Sequence, residues 1–120
     1  MAKRRRLSRS GEFDRVYREG SSQATRYLVL YSFPRGEEEG DDLRLGVSVS
    51  RKVGGAVDRN KAKRTLREAF WSVADRLPPR HDFVLVARAE IGGLIEREGA
   101  DGVRASLEEA LAGAREGRST

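Results

Sequence analysis

Between Arg59 and Arg76 the apolar side chains recur at a helical period, and the basic ones keep off it. At about 100° per residue, Ala62, Leu66, Ala69, Phe70, Val73 and Leu77 share one side of a helical wheel. Asn60, Lys63, Arg64 and Arg67 share the adjoining arc, roughly 100–200° from Ala62. Such a helix needs its apolar stripe against another layer and leaves its basic flank in solvent. Gly54 and Gly55 separate it from what precedes, Asp58 is placed as its N-cap, and Pro78 and Pro79 end it.

Directly upstream the period changes to two. In Leu43 to Ser50, the side chains of Leu43, Leu45, Val47 and Val49 point one way, and Arg44, Gly46, Ser48 and Ser50 the other. The second face is small and polar, which suits close approach to a phosphate backbone. Thr25 to Phe33 also alternates, with Tyr27, Val29, Tyr31 and Phe33 set against Leu28, Leu30 and Ser32. The short acidic loop after it allows an antiparallel pair with residues 43–50. Asp82 to Arg88 is nearly continuous in apolar residues, as expected of a central strand.

A short helix is predicted after Ser10, with Phe13, Val16 and Tyr17 on one face and Gly20 as its stop. A further short strand is expected near Lys52–Val53. A last amphipathic helix spans about 102–116, through Val103, Leu107, Ala110, Leu111 and Ala114, with an acidic outer face. The order helix, strand, strand, strand, helix, strand, helix predicts an α+β two-layer sandwich over residues 10–116. Residues 1–9 form a basic N-terminal arm and residues 117–120 a tail.

The 120 residues suffice for one domain with a modest core. Cysteine is absent and His81 is the only histidine, which excludes disulfides, thiolate metal sites and any centre needing two imidazoles. The N-terminal cations are not followed by an apolar segment, and no stretch approaches a membrane span, so a cytoplasmic location is expected.

Charge is segregated. The net charge is +5, yet the first ten residues hold five cations and no acid, and residues 51–70 hold seven cations against Asp58 and Glu68. The rest of the chain is therefore net acidic, concentrated in Glu37, Glu38, Glu39, Asp41 and Asp42 and in the C-terminal third. A field divided this way steers a polyanion to one side of the molecule. Nucleic acid is the first partner this implies, and an anionic membrane surface the second.

On the predicted helix most cations lack acidic partners at i±4, so a polyanion would relieve their crowding. Asn60 both donates and accepts, and the helix N-terminus adds its own attraction for phosphate. Phe13 and Val16 read as core residues; alternatively part of this face, with Tyr17, Tyr27 and Tyr31, lines a groove where unpaired bases stack. His81 beside Asp82 reads as a loop histidine rather than a dyad, because neighbours on a strand face opposite ways. No carboxylate cluster or Ser/His pair forms a hydrolytic centre, so any chemistry must come from another component.

The run LRLGVSVSRKVGGAVDRNKAKRTLREAF (residues 43–70) resembles the signature of the bacterial ribonuclease P protein subunit, including its Arg-Asn-Arg segment. EFDRVYREG (12–20) resembles that family's first helix and DFVLVAR (82–88) its later strand. The resemblance spans roughly Arg6 to Arg88. It implies an α+β fold with a four-stranded sheet and a left-handed βαβ crossover. It also implies one protein assembled with one large catalytic RNA, which removes the 5′ leader of precursor tRNA by magnesium-dependent hydrolysis.

Carried onto matching positions, the resemblance assigns Arg59, Asn60, Lys61, Lys63, Arg64 and Arg67 to the catalytic RNA. Phe13, Tyr17, Tyr31, Ser50, Arg51 and Lys52 would bind the leader, and Lys3, Arg4, Arg5, Arg6 and Arg9 would add contacts. No catalytic side chain and no protein-held metal are expected. Lys61 stands where the motif has its second arginine, keeping the charge without the bidentate fork. The alternatives are a structured-RNA binder such as a ribosomal protein or assembly factor, a metal nuclease in its own right, and a DNA-binding helix module.

Overall fold

The alternation at residues 43–49 and the apolar run at 82–87 become neighbouring strands in the computed structural model, which describes residues 4–7, 9–36, 39–40 and 42–118. Strand β1 (Arg4–Arg6), helix α1 (Ser10–Glu19), and strands β2 (Ser21–Ala24), β3 (Leu28–Pro34) and β4 (Leu43–Ser48) come first. Helix α2 (Ala56–Ser72), a 3-10 turn at Ala74–Arg76, strand β5 (His81–Ala87) and helix α3 (Ile91–Arg118) follow. The sheet order is β1-β4-β5-β3-β2. β4 runs parallel to both β1 and β5, while β3 is antiparallel to β5 and β2.

The strand periods hold as the sequence predicts. Leu28 and Leu30 of β3, Leu43, Leu45 and Val47 of β4, and Phe83, Leu85 and Ala87 of β5 face one way and are buried. They meet Ala62, Leu66, Ala69 and Phe70 of α2, and Ile91, Leu94, Val103, Leu107 and Ala110 of α3, in one core. On the other face Val84 joins Val16 of α1 and Leu7 in a smaller cluster, with Phe13, Tyr31, Phe33 and Val86 against it.

Several expectations are corrected. The sheet has five strands rather than four, and α1 covers its second face, so two layers become helix, sheet, helix. β3 and β4 do not pair, because the apolar strand β5 lies between them, antiparallel to β3 and parallel to β4. No strand forms at Lys52–Val53, where the chain makes a turn closed by Val53 N–H to the Ser50 carbonyl. Part of the segment read as an arm is ordered, since β1 extends the sheet and Leu7 is only 3% exposed. Gly55, not Asp58, is the N-cap of α2, and Asp58 lies in the first turn.

Helix α1 begins after Arg9, whose backbone N–H is accepted by the Glu12 carboxylate at 3.2 Å, so Ser10 is inside the helix rather than its cap. Helix α3 starts about a dozen residues earlier than expected and is broken at Gly99 (φ 61, ψ −149), a conformation only glycine takes without strain. His81 opens β5 rather than sitting in a loop, stacked 5.7 Å from Phe83.

Asp82 is the sequence's hidden anchor. Its carboxylate is fully buried on the α1 side and accepts from Arg35 (2.6 Å), from two nitrogens of Arg44 (2.6 and 2.9 Å) and from Arg15 (3.3 Å). Arg35 also donates to the backbone carbonyls of Gly40 and Asp42, fixing part of the acidic loop. Glu12 accepts from Arg44 at 3.0 Å and Glu39 from Arg15 at 3.1 Å. Removing the charge of Asp82 would strand the buried guanidinium of Arg35, a loss of about 3–5 kcal/mol. Asp82→Asn should therefore bring the urea midpoint down sharply, whereas Arg15→Gln, at a half-exposed partner, should cost about 1 kcal/mol or less.

Candidate nucleic-acid interface

Helix α2 buries Ala62, Thr65, Leu66, Ala69 and Phe70. Lys63 and Arg67 lie half-buried at the margin of that stripe, with Asn60 and Arg64 exposed beyond them. These four therefore share a flank, as their spacing predicts. Arg59 and Lys61 do not. Arg59 falls at about 60° from Ala62, inside the apolar arc, and is half-buried, its Nε out of solvent with no hydrogen-bond partner among the described residues. Lys61 is exposed on the opposite side of the stripe.

The cations of α2 are also bare. Elsewhere the fold pairs many of its arginines, among them Arg5 with Asp42 (2.9 Å), Arg26 with Glu90 (2.6 Å), Arg76 with Glu108 (3.2 Å), and Arg15, Arg35 and Arg44 with Asp82, while Arg6, Arg9, Arg18, Arg51, Arg88 and Arg97 have no ion pair among the described residues. Among the described residues no carboxylate lies within ion-pair distance of Arg59, Lys61, Lys63, Arg64 or Arg67. Burial, and after it the positive charge of Arg6, pull the Arg67 pKa below its ordinary value. A guanidinium in that position gains from an anion.

The edge strand extends this surface. Arg4, Arg5 and Arg6 are all exposed, and β1 lies parallel to β4 with Arg4 opposite Leu43 and Arg6 opposite Leu45. Arg9 is exposed at the start of α1, and Lys3 lies outside the described residues.

An aromatic surface occupies the α1 side of the sheet. Tyr17 and Tyr31 meet edge to face at 5.0 Å, and Phe13 lies 6.3 Å from Tyr17. Gly46 makes room for this arrangement, since a Cβ there would fall 2.4 Å from the Phe13 ring. Tyr17 is 38% exposed, Phe13 and Tyr31 are half-buried, and Val16 is entirely core. Partial burial raises the Tyr17 pKa, opposed by its neighbour Ser48. Beyond Ser48 the chain continues into Ser50, Arg51 and Lys52, all exposed in the turn before α2.

Tyr27, considered for this groove, is elsewhere. It precedes β3, so strand parity does not reach it, and it packs against the main core beneath Arg26 and Arg97. The buried Asp82 cluster was missed because its four members are scattered along the chain. Its one sequence signal is a lone acid at the head of an apolar strand. Among the described residues there is no group of three or more metal-ligating side chains, and no helix long and apolar enough to cross a membrane.

The family model for Ribonuclease P matches residues 1–114. The ribonuclease P protein component of Shouchella clausii is 43% identical over 111 residues, 92% of this chain and 86% of that protein. Its counterpart in Bacillus velezensis is 42% identical over 94 residues, 78% of each. The structure of the Staphylococcus aureus RNase P protein aligns with a TM-score of 0.76 at 35% identity, covering 91% of this chain and 94% of that one. The RNase P protein from Thermotoga maritima gives 0.75 at 34% identity, with 87% and 92% covered. A match that runs through almost the whole chain, in sequence and in fold alike, places it in the ribonuclease P protein family.

Proposed function

We propose that this chain is the protein subunit of a ribonuclease P ribonucleoprotein, joined to one catalytic RNA and acting on precursor tRNA. The observation that carries this reading is the contrast in charge pairing. Eight arginines on other elements have carboxylate partners, whereas all five cations of α2, and Arg6 beside them, have none within reach among the described residues. A packed helix with bare cations is a rigid phosphate-binding surface.

On this reading Asn60, Lys63, Arg64 and Arg67 face the catalytic RNA, with Lys61 and Arg59 flanking them and Arg4, Arg5, Arg6 and Arg9 adding phosphate contacts. Phe13, Tyr17 and Tyr31 hold unpaired leader bases by stacking, and Ser50, Arg51 and Lys52 hold the leader backbone. The protein then binds precursor better than mature tRNA, because only the precursor fills the aromatic surface. Hydrolysis and its magnesium are assigned to the RNA. The side chains reduce repulsion between two polyanions and hold the leader in place.

Reconstitution tests this directly. Added to ribonuclease P RNA at low magnesium, the protein should raise the rate of 5′ leader removal, and the protein alone should cleave nothing. No stimulation would instead favour a structured-RNA binder without a role in cleavage. Tyr17→Ala should weaken precursor binding by about 1–3 kcal/mol while leaving mature tRNA binding nearly unchanged, measured by competition at fixed salt. Arg64→Gln should weaken the protein–RNA complex and flatten its salt dependence by about 0.7–0.9 in log–log slope.

A further inference from the structure

Two periodicities bring four side chains together at the edge of the sheet. Along β1, Arg4 and Arg6 pair with Leu43 and Leu45, which face α2, whereas Arg5 pairs with Arg44 and turns toward Asp42. Along α2, Arg67 and Trp71 are one turn apart on the same flank. Between them lies a groove lined by Arg4, Arg5, Arg6, Leu45, Arg67 and Trp71.

The chemistry of this groove is specific. Trp71 is half-buried, set edge-on against Phe70 at 5.0 Å, and the Arg4 guanidinium lies over its ring at 5.4 Å. Arg4 is only loosely held there: its carboxylate neighbour Asp75 is 3.9 Å away and 81% exposed. Arg6 and Arg67 have no carboxylate within ion-pair distance among the described residues, and each raises the cost of the other's charge. An indole covered by a displaceable cation, next to two mutually repelling guanidiniums, is matched by a flat π system joined to an anion.

We propose that this groove binds one unpaired nucleotide of an RNA strand, its base stacked on Trp71 in place of Arg4 and its phosphate held between Arg6 and Arg67. The proposal rests on the reading of the chain as an RNA-binding subunit and adds a nucleotide site apart from the aromatic surface under α1. A base inside a duplex is already stacked on its neighbours, so only a splayed-out nucleotide can use the indole. Arg4, once displaced, is free to reach the neighbouring phosphate.

Trp71 is the only tryptophan in the chain, so its emission reports on this groove alone. The full-length protein is titrated with a single-stranded oligoadenylate decamer and with a blunt RNA duplex of the same length, with anisotropy of the labelled RNA as the independent binding signal. The single strand should quench Trp71 along the anisotropy curve, and the duplex should bind without comparable quenching. Arg6→Gln and Arg67→Gln should each shift the quenching curve to higher RNA concentration and lower the salt slope by about 0.7. Trp71→Leu should weaken single-strand binding at least ~5-fold, with Trp71→Phe retaining most of it.

Unchanged emission at saturating single strand, equal quenching by the duplex, or quenching curves unmoved in both arginine variants would each overturn the proposal. The arginine variants retain Trp71, so the test stands even if Trp71→Leu does not fold. Stimulated cleavage of precursor tRNA without quenching would remove the groove and leave the ribonuclease P reading intact. Quenching without stimulation would do the reverse.

Discussion

The buried carboxylate of Asp82 is the interaction on which the arrangement of this fold depends. It sits in the central strand, directly opposite Arg44 of β4 and Phe33 of β3. Arg35 reaches it from the end of β3, Arg44 from β4 and Arg15 from α1. A one-residue slip of β5 would turn this carboxylate into the main core and leave buried guanidiniums without their counter-charge. The cluster therefore fixes strand register and seats α1 with the same set of contacts. A purely apolar α1 face would press on the sheet without choosing where along it to sit.

That seating matters because α1 carries two of the three rings of the aromatic surface, Phe13 and Tyr17. Phe13 rests over Gly46 and Tyr17 against Tyr31 only while α1 keeps its position along the strands. The same side of the molecule shows how the chain divides its charge. Acids of the loop before β4 are drawn to Arg5, Arg15 and, through the backbone, Arg35. Acids of α3 and the turns meet Arg76, Arg26 and Arg104. Asp58 and Glu68 lie on α2 itself, yet neither forms an ion pair with its cations among the described residues.

Much of this was legible in the sequence because it depended on period. The α2 stripe, the inward leucines and valines of β4 and the central place of β5 follow from spacings of 3.6 and two. What depended on contacts between distant segments was not. The intervention of β5 between β3 and β4 cannot be read from a short loop. β1 has no apolar alternation of its own and exists because β4 offers a free edge. The first half of α3 carries Ile91, Leu94 and Ile95 at helical spacing, but Gly92, Gly93 and Gly99 disguise it as a loop. At the site, the family resemblance grouped Arg59 and Lys61 with their neighbours, whereas helical angle sets Arg59 within the stripe and Lys61 on its opposite side.

The central strand of this sheet is also the last of its strands in the chain. Without β5 the remaining strands fall into two separate pairs, β1 with β4 and β2 with β3. A two-stranded ribbon is at best marginal in water. Up to residue 80 no strand joins these two pairs, and among the described residues only α1 touches both, through Gly46 of β4 and Tyr31 of β3. Residues 81–87 alone join the two pairs within the sheet, and they carry Asp82 to its arginines. The basic segment of α2 thus precedes, in the chain, the one strand that makes the sheet continuous.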